Sequence, residues 1–401
     1  MTFTEIGLQG ALAHRCELLG FVEPTPIQKQ AIPIVLNGGD LIATAETGTG
    51  KTAAFLLPII QRLGDGSQKH KRATTVLILT PTRELASQID AACRQFAPKH
   101  LHCASIIGGV GYRPQIDALK RRPDILIATP GRLLDHMEQG TADLSGVTTL
   151  VLDEADRMLD MGFLPAMKRI AKAITPGRQT LLFSATMSPE MERVAHTMLN
   201  DPEYISVSTR GHAAVNIAQT AYPVAQQSKL PLLLDLLEKE SLERVLVFTR
   251  TKRGADRVAH ILEKRDHKSN RIHGDRSQAQ RESALKAFKS GHTKVLVATD
   301  VAARGIDIDS VSHVINYDIP EAPEDYVHRI GRTGRAGKSG RAITIFTLAE
   351  EHSMRAIERL TGQEVERIIL SDFGGYTSPT LKRSAGAAPR KTRFSSGRRR
   401  R

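Results

Sequence analysis

The sequence predicts two α/β domains, each a parallel sheet covered on both faces by helices, followed by a disordered basic tail. Three observations carry this prediction. The 401 residues exceed one ordinary hydrophobic core and suit two domains of roughly 150 to 200 residues. Short continuous apolar runs recur between longer amphipathic stretches, where a sheet with one wet face would alternate apolar and polar residues. Finally, "YTSPTLKRSAGAAPRKTRFSSGRRRR", from residue 376 onward, holds nine basic residues and no acid, in a Ser/Gly/Pro-rich context that cannot build a core.

The first series of apolar runs is "DLIATAE", "TTVLILTPT", "DILIATP", "TLVLDEA" and "TLLFSAT", ending at residue 186. A second series, "RVLVFTR", "KVLVATD", "HVINYDI" and "AITIFTL", lies between residues 244 and 348. Between them, residues 209–228 are polar and lack a strong period, so they read as a linker that could extend to about 66 to 70 Å. The expected organisation is therefore a first domain over 1–208, a linker over 209–228, a second domain over 229–370 and a tail over 371–401. The halves share architecture without a convincing sequence repeat.

Composition narrows the function classes. With 40% hydrophobic and 25% charged residues, and no run of about 18 apolar residues, a soluble chain without a membrane span is expected. The start, "MTFTEIGLQGALAHRCELLGF", interrupts its apolar residues with charges and does not read as a secretory signal. Cys16, Cys93 and Cys103 are odd in number and lack C-x-x-C spacing, which argues against a disulfide framework and a zinc site and for a reducing cytoplasm. Of the net charge of +13, the tail carries nine, leaving +4 for the body. The tail is thus a candidate for nonspecific RNA binding, and the body needs its own reason to bind a polyanion.

That reason begins at "AETGTGKT", residues 45–52, between the apolar run "DLIAT" and the helix-like "AAFLLPIIQRL". A strand, a Gly-rich turn, Lys-Thr and a helix form a phosphate cradle. Gly48 and Gly50 let backbone N–H groups approach phosphate oxygens, and the helix N-terminus adds partial positive charge. Lys51 is suited to the β/γ-phosphates and Thr52 to a magnesium ion. The strict pattern is broken at its first glycine, where Ala45 stands. A phosphate cradle also needs a metal-holding acid on another strand end, and "LVLDEAD" supplies one. Asp153 is placed to hold the metal through water and Glu154 to polarise the water that attacks the γ-phosphate. An acidic helix N-cap accounts for Asp156 alone, not for all three acids.

The ordered motifs "PTPIQ" (24–28), "AETGTGKT", "PTRELA" (81–86), "GG" (108–109), "TPGR" (129–132), "DEAD" (153–156) and "SAT" (184–186) resemble the first domain of DEAD-box ATP-dependent RNA helicases. "VFTRTK" (247–252), "QAQR" (278–281), "ATDVAARGIDI" (298–308) and "HRIGRTGR" (328–335) continue the resemblance into the second. It spans roughly residues 3–350, and "DRMLDMGF" with "LVFTRTK" is most similar to the bacterial RhlE-like branch. The resemblance implies two tandem RecA-like domains that use ATP and Mg2+, and in that family Ala is common at the first cradle position.

Residue roles follow from the same resemblance. Gln28 matches the glutamine that hydrogen-bonds adenine, an apt choice because one amide both donates and accepts. Phe21 matches the aromatic that stacks on the base, and Phe3 the isolated upstream aromatic. Thr25, Thr47, Thr49, Gly305 and Asp307 join the ATP-contacting positions, Asp307 at the ribose. Arg332 and Arg335 match the γ-phosphate ligands, Arg335 as the finger, where a planar guanidinium suits spread phosphoryl charge. Asp156, Ser184, Thr186 and His328 match positions that couple hydrolysis to strand separation, although Ser and Thr at a strand end also serve as simple caps.

An RNA track is implied at Arg83, Gly108, Gly109, Thr129 and Arg132 in the first domain and Arg250, Gln278, Arg281 and Thr299 in the second. Such contacts fix the backbone and do not read sequence. With 4% aromatic residues and no Trp, stacking platforms are few. The expectation is a cytoplasmic monomer that locally remodels single strands or short duplexes of RNA, with ribosomal precursors or the RNA-decay machinery as candidate partners. Rival readings are a DNA translocase on the same frame and an RNA chaperone working through the tail.

Overall fold

The structure is a computed structural model that describes residues 1–45, 48–64, 73–207, 217–239, 242–303, 311–334 and 339–376. Seven strands, β1 (Leu41–Ala45), β2 (Val76–Leu79), β3 (Cys103–Ile106), β4 (Ile125–Ala128), β5 (Thr149–Leu152), β6 (Gln179–Ser184) and β7 (Glu203–Val207), form one parallel sheet in the order β3-β4-β2-β5-β6-β1-β7. A second parallel sheet contains β8 (Ile217–Pro223), β9 (Val245–Phe248), β10 (Ser269–Ile272), β11 (Val295–Ala298), β12 (His313–Asn316), β13 (Gly340–Phe346) and β14 (Glu366–Arg367). Its order, β10-β11-β9-β12-β13-β8-β14, repeats the first strand for strand. The chain is therefore an architectural duplication of one doubly wound, RecA-like unit, although its sequence carries no visible repeat.

Why the strands read as unbroken apolar runs is visible in how they divide their side chains. In β2, Val76 and Ile78 enter one core cluster while Leu77 and Leu79 enter the other. In β9, Val245 and Val247 face one cluster and Leu246 and Phe248 another. Each sheet face is roofed by helices, so successive residues are buried on opposite sides.

Helix starts follow local chemistry. The helix Pro26–Leu36 opens with Pro at its first turn after Thr25. Thr82 caps Arg83–Phe96 by accepting the Leu85 N–H at 3.2 Å, and Ser277 with Gln280 forms a capping box at Gln278–Lys289. Among the described residues, no helix is long and apolar enough to cross a membrane.

Two expected boundaries change. Residues 217–223, read as linker, are β8, hydrogen-bonded to β13 on one side and β14 on the other. The strand was hidden because Gln219 and Thr220 interrupt its apolar residues and its burial is uneven. Residues 371–376, assigned to the tail, belong to the folded body. Phe373 packs on the second domain's core, and the Tyr376 ring lies 6.2 Å from that of Phe346. The rest of the expected tail, 377–401, and residues 209–216 of the expected linker lie outside the described residues.

Candidate active site

Parallel pairing aligns the C-terminal ends of β5, β6 and β1, with Leu152 opposite Leu182 and Thr44 opposite Ser184. The loops that leave these ends are the Gly-rich turn, the acidic cluster and residues 184–186. A crevice at the carboxyl ends of a doubly wound sheet is where such folds bind ligands.

In the Gly-rich turn, Gly48 and Gly50 have φ of 86° and 93°, a left-handed conformation that side chains disfavour, and the helix Lys51–Gly64 starts at once. Lys51 is buried, and its Nζ donates to the Ala45 carbonyl at 2.7 Å, closing the turn over its own backbone. Thr52 is half-buried one residue later. Gln28 is 1% exposed and tied into the same turn: its Oε1 accepts the Thr25 N–H at 2.9 Å and its Nε2 donates to the Gly50 carbonyl at 3.1 Å. A Cβ on Gly50 would stand 2.5 Å from Gln28 Nε2, so glycine is required for this approach. Each half of the amide keeps capacity for one more hydrogen bond. Phe21 is partly exposed beside Phe96, ring centroids 5.5 Å apart. Phe3, the isolated upstream aromatic, packs into the core at 3% exposure.

The three acids have three different surroundings. Asp153 is 2% exposed, and among the described residues its Oδ1 has no hydrogen-bond partner. Burial, with Glu154 alongside, pushes its carboxyl up to about 7 against the pull of Lys51. A buried carboxylate oxygen with nothing to accept from is the chemistry of a cation site, and it fits magnesium. No group of three or more His, Cys, Asp or Glu that could hold a metal occurs among the described residues. Magnesium here would therefore rest on Asp153 and Thr52, with waters and phosphates completing its shell. Glu154 adopts the left-handed conformation, φ 53° and ψ 52°, and its Oε2 accepts from Arg157 Nη1 at 2.7 Å. Asp156 turns to β6: its Oδ2 accepts from the Ala185 N–H, the Thr186 N–H and the Thr186 hydroxyl at 3.0, 2.9 and 3.0 Å. Ser184 Oγ in turn donates to the Thr186 carbonyl at 2.6 Å. Burial alone would raise the Asp156 carboxyl, but Lys51, the Thr186 N–H and His328 of the second domain hold it below the usual range. Asp156, Ser184, Thr186 and His328 are thus gathered across the domain boundary.

In the second domain Arg329 is a keystone rather than a free cation. Its Nε and Nη2 grip Asp300 at 2.6 and 2.7 Å, its Nη1 donates to Asn316 Oδ1 and the Asp318 carbonyl, and its guanidinium lies 4.9 Å above the Phe248 ring. It thereby ties together the ends of β9, β11 and β12. Arg332 follows at 4% exposure, beside His328 and Asp325 in a small cavity. Thr47, Gly305, Asp307 and Arg335 lie outside the described residues, and Thr49 is among those described.

The positions expected to line an RNA track are more constrained than their sequence suggests. Arg83 lies on the Gly108-Gly109 doublet; Gly109 has φ +74°, and a Cβ there would collide with Arg83 Nη1. Burial, then Arg281 and Arg132, depress the Arg83 guanidinium, the mark of a crowded cationic cluster. Arg132 Nη1 donates to the Val110 carbonyl at 2.8 Å and stacks 4.3 Å over the Tyr112 ring. Thr129, buried, immediately precedes the helix Pro130–Glu138 that carries Arg132. Arg281 crosses to the first domain and pairs with Glu84 at 2.9 Å. Arg250 is 44% exposed and bonded to Glu350 at 2.8 Å, while Gln278 and Thr299 are buried. Sequence reasoning passed over Glu84, although it stands inside "PTRELA", and Arg157, although its i+3 spacing from Glu154 on a helix was a usable signal.

Residues 25–194 match the DEAD/DEAH box helicase family and residues 228–337 the helicase conserved C-terminal domain. The DEAD-box ATP-dependent RNA helicase CshA of Geobacillus kaustophilus is 45% identical over 368 residues, covering 92% of this chain and 78% of that protein. Other similar curated proteins also carry the name CshA, so they give the RhlE-like branch no support. A DEAD box protein from Methanococcus jannaschii is 39% identical, with 92% and 99% of the two chains covered, at a TM-score of 0.53. S. cerevisiae Dbp5 bound to RNA and ADP BeF3 is 30% identical, covering 92% and 95%, yet agrees better, at 0.82. Identity and structural agreement therefore run in opposite order in these two proteins. The chain belongs to the DEAD-box family of ATP-dependent RNA helicases.

Proposed function

We propose that this chain hydrolyses ATP between its two domains and uses the closure to separate short RNA duplexes locally, without regard to base sequence. The observation that carries the reading is the buried Asp153 with its unpartnered Oδ1, near Lys51 at the start of the helix Lys51–Gly64 and close to an Asp156 that is bonded to residues 185–186 and faces His328.

In this reading Gln28 and Phe21 select and stack the adenine, with Thr25, Thr47, Thr49, Gly305 and Asp307 completing the nucleotide's contacts. Gly48, Gly50 and the first N–H groups of the helix Lys51–Gly64 cradle the phosphates, and Lys51 moves from the Ala45 carbonyl to the β/γ-phosphates. Thr52 and Asp153 would hold magnesium, which would neutralise phosphate charge. Glu154 orients the attacking water, and Arg332 with Arg335 stabilises the charge that develops on the γ-phosphoryl group. Asp156 carries the change in the site to residues 184–186 and His328, so that hydrolysis and reopening are one event. Arg83 and Arg281, with Gly108, Gly109, Thr129, Arg132, Arg250, Gln278 and Thr299, form the walls of the RNA track. The contacts are to backbone, which explains sequence tolerance. Free Cys16, Cys93 and Cys103 suit a reducing cytoplasm. The branch that the relatives favour is CshA-like.

The test is RNA-stimulated ATPase and strand displacement with Glu154→Gln. Both activities fall by about 10² to 10⁴, the range of a lost catalytic base; full activity in that variant refutes the assignment. Stronger stimulation of the ATPase by double-stranded DNA than by RNA would favour a DNA translocase instead.

A further inference from the structure

We propose that Arg157 is a positioning residue for hydrolysis: it grips one oxygen of Glu154 so that the other is presented to the attacking water. The inference rests on Glu154 being the base. Glu154 sits where the chain leaves β5, in a left-handed backbone conformation that only the surrounding fold can maintain. Its side chain has three rotatable bonds, and nothing in its own backbone aims the carboxylate. Arg157, three residues on in the helix Ala155–Asp160, does so: Nη1 meets Oε2 at 2.7 Å, with side-chain exposures of 5% and 10%. Oε1 has no hydrogen bond among the described residues. One oxygen is anchored and the other is available, the division of labour a water-orienting carboxylate requires. A base must lie within hydrogen-bond reach of the proton it takes, and a displacement of about 1 Å can cost on the order of 10²-fold.

The grip is separable from the rest of the motif. The Arg157 contact with Asp156 is made by its backbone N–H, at 2.9 Å to Oδ1, so a side-chain substitution leaves it in place. No side-chain ion pair joins Arg157 to Asp153 or Asp156 among the described residues.

The experiment compares Arg157→Gln, Arg157→Lys, Glu154→Gln and the double Gln variant in RNA-stimulated ATPase assays, with affinity for a fluorescent non-hydrolysable ATP analogue measured separately. Arg157→Gln lowers kcat about 10- to 100-fold while KM for ATP and analogue affinity stay within about twofold, and Arg157→Lys recovers most of the loss. The double variant turns over no more slowly than Glu154→Gln alone, because both act through one carboxylate. Wild-type kcat in folded Arg157→Gln, with Glu154→Gln inactive, overturns the positioning role and leaves the base in place. An active Glu154→Gln overturns the base itself. Should Arg157→Gln fail to fold with its unpaired buried carboxylate, the double variant, which buries no charge, decides: turnover equal to Glu154→Gln supports the inference, and a further fall overturns it.

Discussion

The Glu84–Arg281 ion pair is the direct link between the two domains whose rupture has a calculable consequence. Glu84 lies in the first turn of the helix Arg83–Phe96 in one domain and Arg281 in the first turn of Gln278–Lys289 in the other. At 2.9 Å, with side-chain exposures of 4% for Glu84 and 9% for Arg281, both charges are desolvated in this arrangement of the domains. Glu84→Gln leaves Arg281 buried without its counterion and next to Arg83, whose guanidinium already registers the repulsion. Removing one partner of a buried pair costs about 3–5 kcal/mol. Among the described residues Glu84 Oε1 and Arg281 Nε each lack a hydrogen bond, so the pair is imperfectly satisfied and the cost falls at or just below the bottom of that range, about 2–3 kcal/mol. In the open arrangement both side chains return to water, so the penalty falls on closure and not on either domain's stability. The expected result is a 30- to 150-fold weaker apparent RNA affinity, roughly, in the presence of a non-hydrolysable ATP analogue, with unchanged melting of the domains. Interdomain fluorescence energy transfer during an RNA titration measures it, and the reversed pair, Glu84→Arg with Arg281→Glu, recovers part of the loss. RNA affinity within about twofold of wild type in Glu84→Gln, or a reversed pair no better than the sum of its single variants, refutes the reasoning.

Three further outcomes are expected. Gly109→Ala, forced into φ +74° and against Arg83, weakens RNA binding about tenfold or more while KM for ATP holds, read by filter binding beside ATPase assays. Lys229→Met breaks the Lys229 bond to Glu350 (2.8 Å) and its weaker contact with Asp318 (3.4 Å), destabilising the second domain by about 3–5 kcal/mol in urea unfolding. Burial alone would raise the Glu350 carboxyl, but Lys229 and Thr347 hold it below its ordinary 4.5; the stabilisation is therefore full above that value and fades as pH falls through the depressed one, so variant and wild type converge in acid. Removing residues 377–401, with nine basic side chains, shallows the fall of log RNA affinity with log salt by up to roughly six and leaves ATP turnover at saturating RNA unchanged.

How far the fold could be read in advance depended on where each strand lies. β2, β4, β5 and β6 are interior strands whose residues alternate between two cores, so each announced itself as an unbroken apolar run. β3 and β10 stand at sheet edges with half-buried residues, β7 exposes Glu203 and Tyr204, β8 mixes Gln and Thr into its length, and β14 is two residues long. None of these leaves a pattern of period two or a continuous run, and the duplicated strand order that includes them was invisible for that reason.

The site divides along a similar line. Contiguous chemistry was legible: a Gly-rich turn before Lys51, and three acids at a strand end. What each acid answers to was not, because its partner arrives through topology. Since β6 lies beside β5 in the sheet, residues 185–186 reach Asp156, and its role as a joint between loops, rather than a helix cap alone, follows from strand order. Glu154 is answered by a helix turn just downstream, while Oδ1 of Asp153 finds no hydrogen-bond partner among the described residues. Arginines were still harder to place, since a guanidinium in a motif has the same letter whether it meets a ligand or the fold. Arg329 holds Asp300 and Asn316, and Arg132 holds Val110 over Tyr112, so both define the shape of the cleft before any phosphate enters it. A motif therefore specifies which charges stand near the cleft, while the buried counterions decide which of them remain available to a nucleotide or an RNA strand.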